Sequence, residues 1–348
     1  MEQTKQEFLK EYYNILSPSG IPNFLEEYIN TPEMQRIGKI SMNCGTDYTK
    51  IYNNKMFYSN LDHSIGVALI IWNFTKDKKQ TLAGLFHDIA TPTFKHCIDF
   101  MNGDYEKQES TEELTTKIIE NSNEIMKLLK RDGIKVDEID NYKKYPIADN
   151  ETPKLSSDRF EYNFSGGFSL KDIWTLEEIK EVYDNVTVLK NENGIDELGF
   201  KDIEIAEKYI EKVSQLWPEW IINKNKTCMQ FVSDCVKTLY NQKEISKRDL
   251  YTLSEQEVIN KIENSNNNNL SKYFKKYSML TEVKESNKKP EGKYSVNIKT
   301  KRRYVNPLAK TETDNKRIYE LSETAKRDID NFLDYKMMKY GYLDFDSK

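Results

Sequence analysis

Apolar residues recur at helical spacing along almost the whole chain, with few residues to interrupt a helix. Leu114, Ile118, Ile119, Ile125, Leu128 and Leu129 follow that spacing. The 348 residues include only 13 Gly and 9 Pro, which disfavours turn-rich all-β folds. A mainly α-helical fold is therefore expected. Short amphipathic helices are predicted over 8–16 and 24–29. Thr31-Pro32-Glu33 predicts a helix start, with Thr31 as N-cap and Pro32 in the first helical position. Asp62 is expected to cap a helix over 63–74. Further helices are predicted over 81–86, over 114–129 as one element stopping near Gly133, and over 154–164. Two places depart from this pattern. Val186 to Leu189, Asn193-Gly194 and Ile195 predict a hairpin with a tight turn. Residues 294–300 alternate in the manner of a strand. Residues 264–269 read as a polar loop and 284–293 as an exposed linker.

Charge is uneven. The net charge is −5, yet residues 271–310 hold 12 Lys and Arg against three Glu, leaving −14 elsewhere. Such a block can be a solvated face of a small C-terminal lobe or a contact for nucleotide or nucleic acid. The solvated face is the simpler reading. The longest apolar run, 65–72, is too short to cross a bilayer, and the N-terminus shows no secretory signal. Cys44, Cys97, Cys228 and Cys235 show no CxxC spacing. Reduced thiols in a cytoplasmic protein are expected.

The chemistry concentrates in one stretch. All three histidines, His63, His87 and His96, fall within 34 residues, and His87 is followed directly by Asp88. Asp158 lies about 70 residues further on. Two imidazoles and two carboxylates form a mixed N/O set that suits Mn, Mg, Fe, Co, Ni or Zn. His63 lies near the start of one predicted helix and His87-Asp88 at the end of another, where adjacent side chains can converge on one ion. Such an ion polarises a phosphoryl oxygen and acidifies water. Equally, a histidine on an apolar helix face can be a hydrogen-bonded core residue, and spacing alone leaves both readings open.

Four segments carry a family resemblance. They are Tyr28-Ile29-Asn30-Thr31-Pro32-Glu33-Met34-Gln35-Arg36-Ile37, Leu61-Asp62-His63-Ser64-Ile65-Gly66-Val67-Ala68, Leu85-Phe86-His87-Asp88-Ile89-Ala90-Thr91-Pro92-Thr93-Phe94-Lys95-His96 and Ser157-Asp158-Arg159-Phe160-Glu161-Tyr162. In order and spacing they resemble the HD-domain metal phosphohydrolases, in particular the branch of the deoxynucleoside triphosphate triphosphohydrolases. The resemblance implies an HD-domain helical fold with a minor β-hairpin and a small α+β C-terminal lobe. The expected organisation is a helical metal-binding domain over 1–240, a small basic lobe over 241–310 and a charged helical tail over 311–348. It also implies a divalent metal, manganese among the candidates, held by His63, His87, Asp88 and Asp158. The substrate it implies is a nucleotide or related small phosphoester, a dNTP included. Tyr162 matches a family tyrosine near the substrate phosphates, Arg159 a usually basic neighbour, and His96 a histidine near the phosphates. Arg36 is expected to be a structural ion-pair partner. Family members often assemble, so a homo-oligomer is one expected state. No membrane partner is expected, and nucleic acid ranks below a small molecule.

The pattern also departs from the family. Where its members read His-Asp-[Ile/Leu]-Gly-His, this chain has Ala90 and Thr91, so an imidazole that assists proton transfer is replaced. Asn60 stands where the family has a phosphate-contacting Arg. Asn60 and Thr91 are therefore carried as substrate-side positions. Residues 105–110 have no histidine where the family has a His-Glu pair. Glu106, Glu109 or Lys107 could then supply the general acid, beside Asp88 and His96 as catalytic candidates. The alternative is a catalytically altered HD-domain protein that binds nucleotide as a regulatory module.

Overall fold

The computed structural model describes residues 4–52, 54–108, 110 and 114–346. Helices dominate it. The N-terminal part holds α1 (Lys5–Leu16), α2 (Asn23–Ile29), α3 (Pro32–Ile37), α4 (Asn60–Thr75), α5 (Lys78–Phe86) and α6 (His96–Met101). It continues with α7 (Thr115–Asn121), α8 (Asn123–Asp132), α9 (Ser157–Ser169) and α10 (Leu176–Asp184). After the hairpin β1 (Val186–Lys190) and β2 (Asp196–Phe200) come α11 (Ile203–Val213), α12 (Asn223–Asn241), α13 (Glu255–Glu263) and α14 (Asn268–Ser278). The C-terminal part holds β3 (Lys284–Ser286), β4 (Lys293–Val296), β5 (Leu308–Lys310), β6 (Asn315–Arg317), α15 (Ile318–Leu321), α16 (Glu323–Leu333) and β7 (Tyr340–Asp346).

α4 is the axis of the fold. It is buried on every side from Asn60 to Ile71, as expected of a helix apolar all round. Its cap is Ser59, which accepts from the Asp62 N–H while Asp62 Oδ2 accepts from the Ser59 N–H. Asp62 thus sits at the third helical position of a capping box rather than at the cap, and α4 begins three residues earlier than predicted. Lys76, at φ 52°, ends α4, and Asp77 then caps α5 by accepting from the Lys79 and Gln80 N–H groups. The two helices close to contact because residue 84 has no side chain. A Cβ there would lie 2.2 Å from Ile71 Cδ1.

Other differences have equally local causes. The predicted helix over 114–129 is two, because Ser122 leaves the helical conformation and caps α8. Asn191 to Ile195 form a five-residue connection, wider than a tight turn, because the Asn191 side chain accepts from the Asn193 and Ile195 N–H groups. The strand expected over 294–300 ends at Val296. Part of the expected linker, Lys284–Ser286, is a strand because β7 supplies it with a ladder. The segment 311–348 is not a helical tail throughout, since it contains β6 and closes with β7.

One sheet runs β1-β2-β5-β6, with β2 and β5 parallel, and the other runs β3-β7-β4 with β7 central. Two main apolar cores result. The larger gathers α1, α4, α5, α9 and α11 with Ile318, Ala325, Ile329 and Phe332 from the C-terminal part. The second joins Cys44, Phe94, Cys97 and Phe100 to α12, α13, α14 and Leu343 and Phe345 of β7. All four cysteines are buried and free. Among the described residues no helix is long and apolar enough to cross a membrane.

Candidate metal centre

Three elements deliver the polar cluster. His63 lies one turn into α4, His87 caps the C-terminal end of α5, and Asp158 is the second residue of α9. Asp88 follows His87 in the loop that leaves α5. The His63 and His87 Nε2 atoms stand 3.2 Å apart, and Asp158 Oδ1 lies 3.1 Å from the first and 3.8 Å from the second. Asp88 Oδ2 is 3.7 Å from His87 Nε2. Neighbouring ligands around one ion at ~2.1 Å are separated by roughly 3 to 3.5 Å, which the 3.1 and 3.2 Å spacings match and the 3.7 and 3.8 Å spacings slightly exceed. His63, His87 and Asp88 together could hold a metal ion, their ligand atoms all lying within 4.8 Å of one another.

Hydrogen bonds fix which nitrogens face inward. His87 Nδ1 is 2.7 Å from the Gly84 carbonyl, which can only accept, so Nδ1 carries the proton. His63 Nδ1 faces Glu161 Oε2. Glu161 is fully buried and accepts from the Tyr58 hydroxyl at 2.6 Å and the Tyr12 hydroxyl at 3.2 Å. A carboxylate or carbonyl behind each imidazole is the usual support of a metal-ligating histidine. With both rings neutral, two Nε2 lone pairs oppose each other at 3.2 Å. That contact is repulsive unless a proton or a cation lies between them. Burial alone would make His63 less basic, but Glu161 and Asp158 reverse this and raise its pKa to about 9. Burial likewise opposes ionisation of Asp88 and Asp158. Lys95 and His87 hold Asp88, and His63 and His87 hold Asp158, well below the usual carboxylate range. The donor set and its support fit a divalent cation.

Lys95 was not among the residues singled out by sequence. Its Nζ donates to Asp88 Oδ2 and to Asn60 Oδ1, each at 2.8 Å. The loop that presents it is tight, with Phe94 at φ 64° and Lys95 at φ 47°. Arg36 pins the same loop by donating to the carbonyls of Ile89 at 2.9 Å and Thr91 at 2.8 Å. Arg36 therefore supports backbone rather than pairing with an acid. The signal available in the sequence was a lysine seven residues after Asp88, within the segment that carried the resemblance.

The cluster opens into a cavity of about 350 Å³, large enough for a small molecule. His96, Tyr162 and Arg159 line it. His96 Nδ1 contacts Asp99 Oδ2 at 2.9 Å, and burial, followed by the charge of Arg303, lowers its pKa. Tyr162 meets Trp220 edge-on, and burial pushes its phenol up to about 12, so it remains a donor. Arg159 Nε donates to the Lys154 carbonyl at 2.8 Å and its guanidinium lies 3.2 Å from Asp149, which ties much of it to the 149–154 loop. Three candidates lie elsewhere. Asn60 is buried, holding Lys95 and donating to the Ile40 and Ser41 carbonyls. Thr91 is buried off the cavity, its N–H donating to the Asp88 carbonyl. Glu106 is exposed, 3.8 Å from Lys299, and does not line the cavity. Lys107 does line it, and Glu109 lies outside the described residues.

No family model matches the chain. It is 25% identical over 292 residues to the uncharacterized protein YdhJ of Bacillus subtilis (strain 168), covering 82% of this chain and 84% of that one. Among solved structures it is similar to a hypothetical protein from Aquifex aeolicus, with TM-score 0.65, 16% identity and 93% of each chain covered. It is also similar to a phosphohydrolase from Bacteroides thetaiotaomicron VPI-5482, with TM-score 0.63, 13% identity, and 93% of this chain and 96% of that one covered. At these identities the likeness is one of fold.

Proposed function

We propose that the chain is a metal-dependent phosphohydrolase of the HD-domain type, acting on a nucleotide or a related small phosphoester. The observation that carries this reading is the pair of opposed imidazole nitrogens, each backed by a fixed acceptor and flanked by Asp88 and Asp158. His63, His87, Asp88 and Asp158 would hold the cation. When bound, a divalent ion supplies Lewis-acid polarisation of a phosphoryl oxygen and a lowered pKa for water. Its identity stays open among Mn, Mg, Fe, Co, Ni and Zn, since this donor set suits them all.

The chain's own residues supply the rest. Glu161 orients His63, and Lys95 keeps Asp88 ionised and in place. Tyr162 offers a phenol donor to an anionic oxygen. His96, with Nδ1 turned to Asp99, keeps Nε2 as the nitrogen able to take a proton. The similar fold of a protein named phosphohydrolase supports the reading. A regulatory nucleotide binder is the second reading, favoured by Thr91 standing where the resemblance has an imidazole that assists proton transfer. Metal-dependent turnover by the full chain that Asp88→Ala removes is the test that separates the two.

A further inference from the structure

Lys95 is held in a backbone conformation that a lysine seldom adopts. It lies at φ 47°, ψ −119°, a region open to glycine and unfavourable for an L side chain. Such a residue costs stability and persists where its surroundings over-determine it. Three acceptors meet at its ammonium. Nζ donates to Asp88 Oδ2 and Asn60 Oδ1, each at 2.8 Å, and to Met42 Sδ at 3.2 Å, which engages all three of its N–H groups. The Asn60 oxygen is fixed in place. Its Nδ2 is turned to the Ile40 and Ser41 carbonyls, which can only accept, and the residue has no exposed surface. A carboxylate oxygen, an amide oxygen and a thioether sulfur, with no donor among them, form a pocket for a cation.

That pocket shares a carboxylate with the metal centre. Asp88 Oδ2 lies 3.7 Å from His87 Nε2 on one side and 2.8 Å from Lys95 Nζ on the other. In two-metal hydrolytic sites the ions stand about 3.5–4 Å apart, close enough for one carboxylate to serve both. Asp88 has the position of such a shared carboxylate, and a compact ammonium charge stands on its second side.

We propose that the Lys95 ammonium takes the place of a second metal ion. Asp88 then serves one divalent cation on the side of the imidazoles and the ammonium on the other, and the centre holds a single ion. The second positive charge is fixed by the sequence rather than drawn from solution. This role goes beyond orienting Asp88, and the two differ in sign. A lysine that only positions the ligand strengthens metal binding, whereas a fixed cation beside the ion weakens it. The inference rests on the reading of the cluster as the metal centre of a phosphohydrolase.

The experiment titrates the full chain, stripped of metal, with Mn(II) near neutral pH. Calorimetry counts the bound ions and electron paramagnetic resonance reads whether they are coupled. The wild type is expected to bind one ion, with the spectrum of isolated Mn(II). Lys95→Gly empties the pocket and suits the backbone there. It is expected to bind a second ion, coupled to the first through Asp88. Lys95→Met fills the pocket without charge and is expected to bind one ion about tenfold more tightly or better, since a like charge beside the ion is gone. Lys288→Met, at an exposed position, is expected to change affinity less than about twofold. If Lys95→Gly does not fold by circular dichroism, the affinity of Lys95→Met decides alone. The inference is overturned if the wild type binds no ion or two coupled ions, or if a folded Lys95→Gly takes no second ion. It is equally overturned if Lys95→Met binds its ion no more tightly than the wild type. None of these readouts needs turnover. The expected binding in a protein that hydrolyses nothing would retain the role of Lys95 and remove the phosphohydrolase reading. Turnover by a wild type holding two coupled ions would do the reverse.

Discussion

His63 Nδ1 is held by Glu161, a carboxylate with no exposed surface, reached from two sides by the hydroxyls of Tyr12 and Tyr58. This relationship fixes the tautomer of His63 and aims Nε2 at His87. It also binds α9, which carries Asp158, to α4, which carries His63.

Glu161→Gln should therefore weaken divalent metal binding without removing any ligand. The expected loss is roughly 10- to 100-fold, the range for a carboxylate supporting a histidine ligand. Competition with a fluorescent chelator for Co or Ni gives the value, and an unchanged affinity would mean that Glu161 is only a core hydrogen-bond partner.

The same contact constrains residue 66. A Cβ on Gly66 would lie 2.7 Å from Glu161 Cγ and 2.9 Å from Oε1. Gly66→Ala is expected to lower stability by about 1–3 kcal/mol, the cost of overpacking, and to weaken metal binding as well. Chemical denaturation and the chelator assay report the two effects separately.

Much of this was legible in the sequence. The quartet His63, His87, Asp88 and Asp158 is implied by the family resemblance of its four segments, whereas spacing alone leaves a metal ligand and a hydrogen-bonded core histidine equally open. Glu161 was visible only as a letter in a motif, since nothing local marks a carboxylate as facing a histidine 98 positions away. Asn60 and Thr91 were assigned to the substrate side by position alone, but the fold turns both into backbone and lysine supports. Glu106 fell on the surface because its loop carries it past the cavity mouth, where Lys107 lines the wall instead. The ladder that makes Lys284–Ser286 a strand comes from residues 340–342, beyond the reach of local pattern.

Arg317 ties the C-terminal part to the loop before α9. It donates to both oxygens of the fully buried Glu197, at 2.5 and 2.9 Å, and Glu197 also accepts from the Leu155 N–H. Arg317→Ala leaves that charge uncompensated and should cost about 3–5 kcal/mol, read as a lower urea midpoint. A change below ~1 kcal/mol would show that water reaches Glu197.

Glu255 gives a pH signature. Burial, and then the charge of Asp47, raises its pKa from the usual 4.5 to about 8, with Ser41 N–H and the Tyr48 hydroxyl as partners. The folded chain thus holds a proton there that the unfolded chain releases near pH 4.5. Stability should fall as pH rises from about 4.5 to 8 and level off above. Glu255→Gln removes this decline, so the variant should gain on the wild type by about 2–4 kcal/mol between pH 5 and 8.5. Parallel stability-versus-pH curves for the two proteins would contradict the assignment.

The most direct test of the central claim is a hydrolysis screen of the purified full chain supplied in turn with Mn, Mg, Co or Ni. The substrates are nucleoside mono-, di- and triphosphates, cyclic nucleotides and a chromogenic phosphoester, with Asp88→Ala in parallel. The account predicts turnover of at least one of them that needs the metal and falls by several orders of magnitude in the variant. A protein shown to hold metal at His63, His87, Asp88 and Asp158 yet turning over none of them, or turning one over equally in Asp88→Ala, would contradict it.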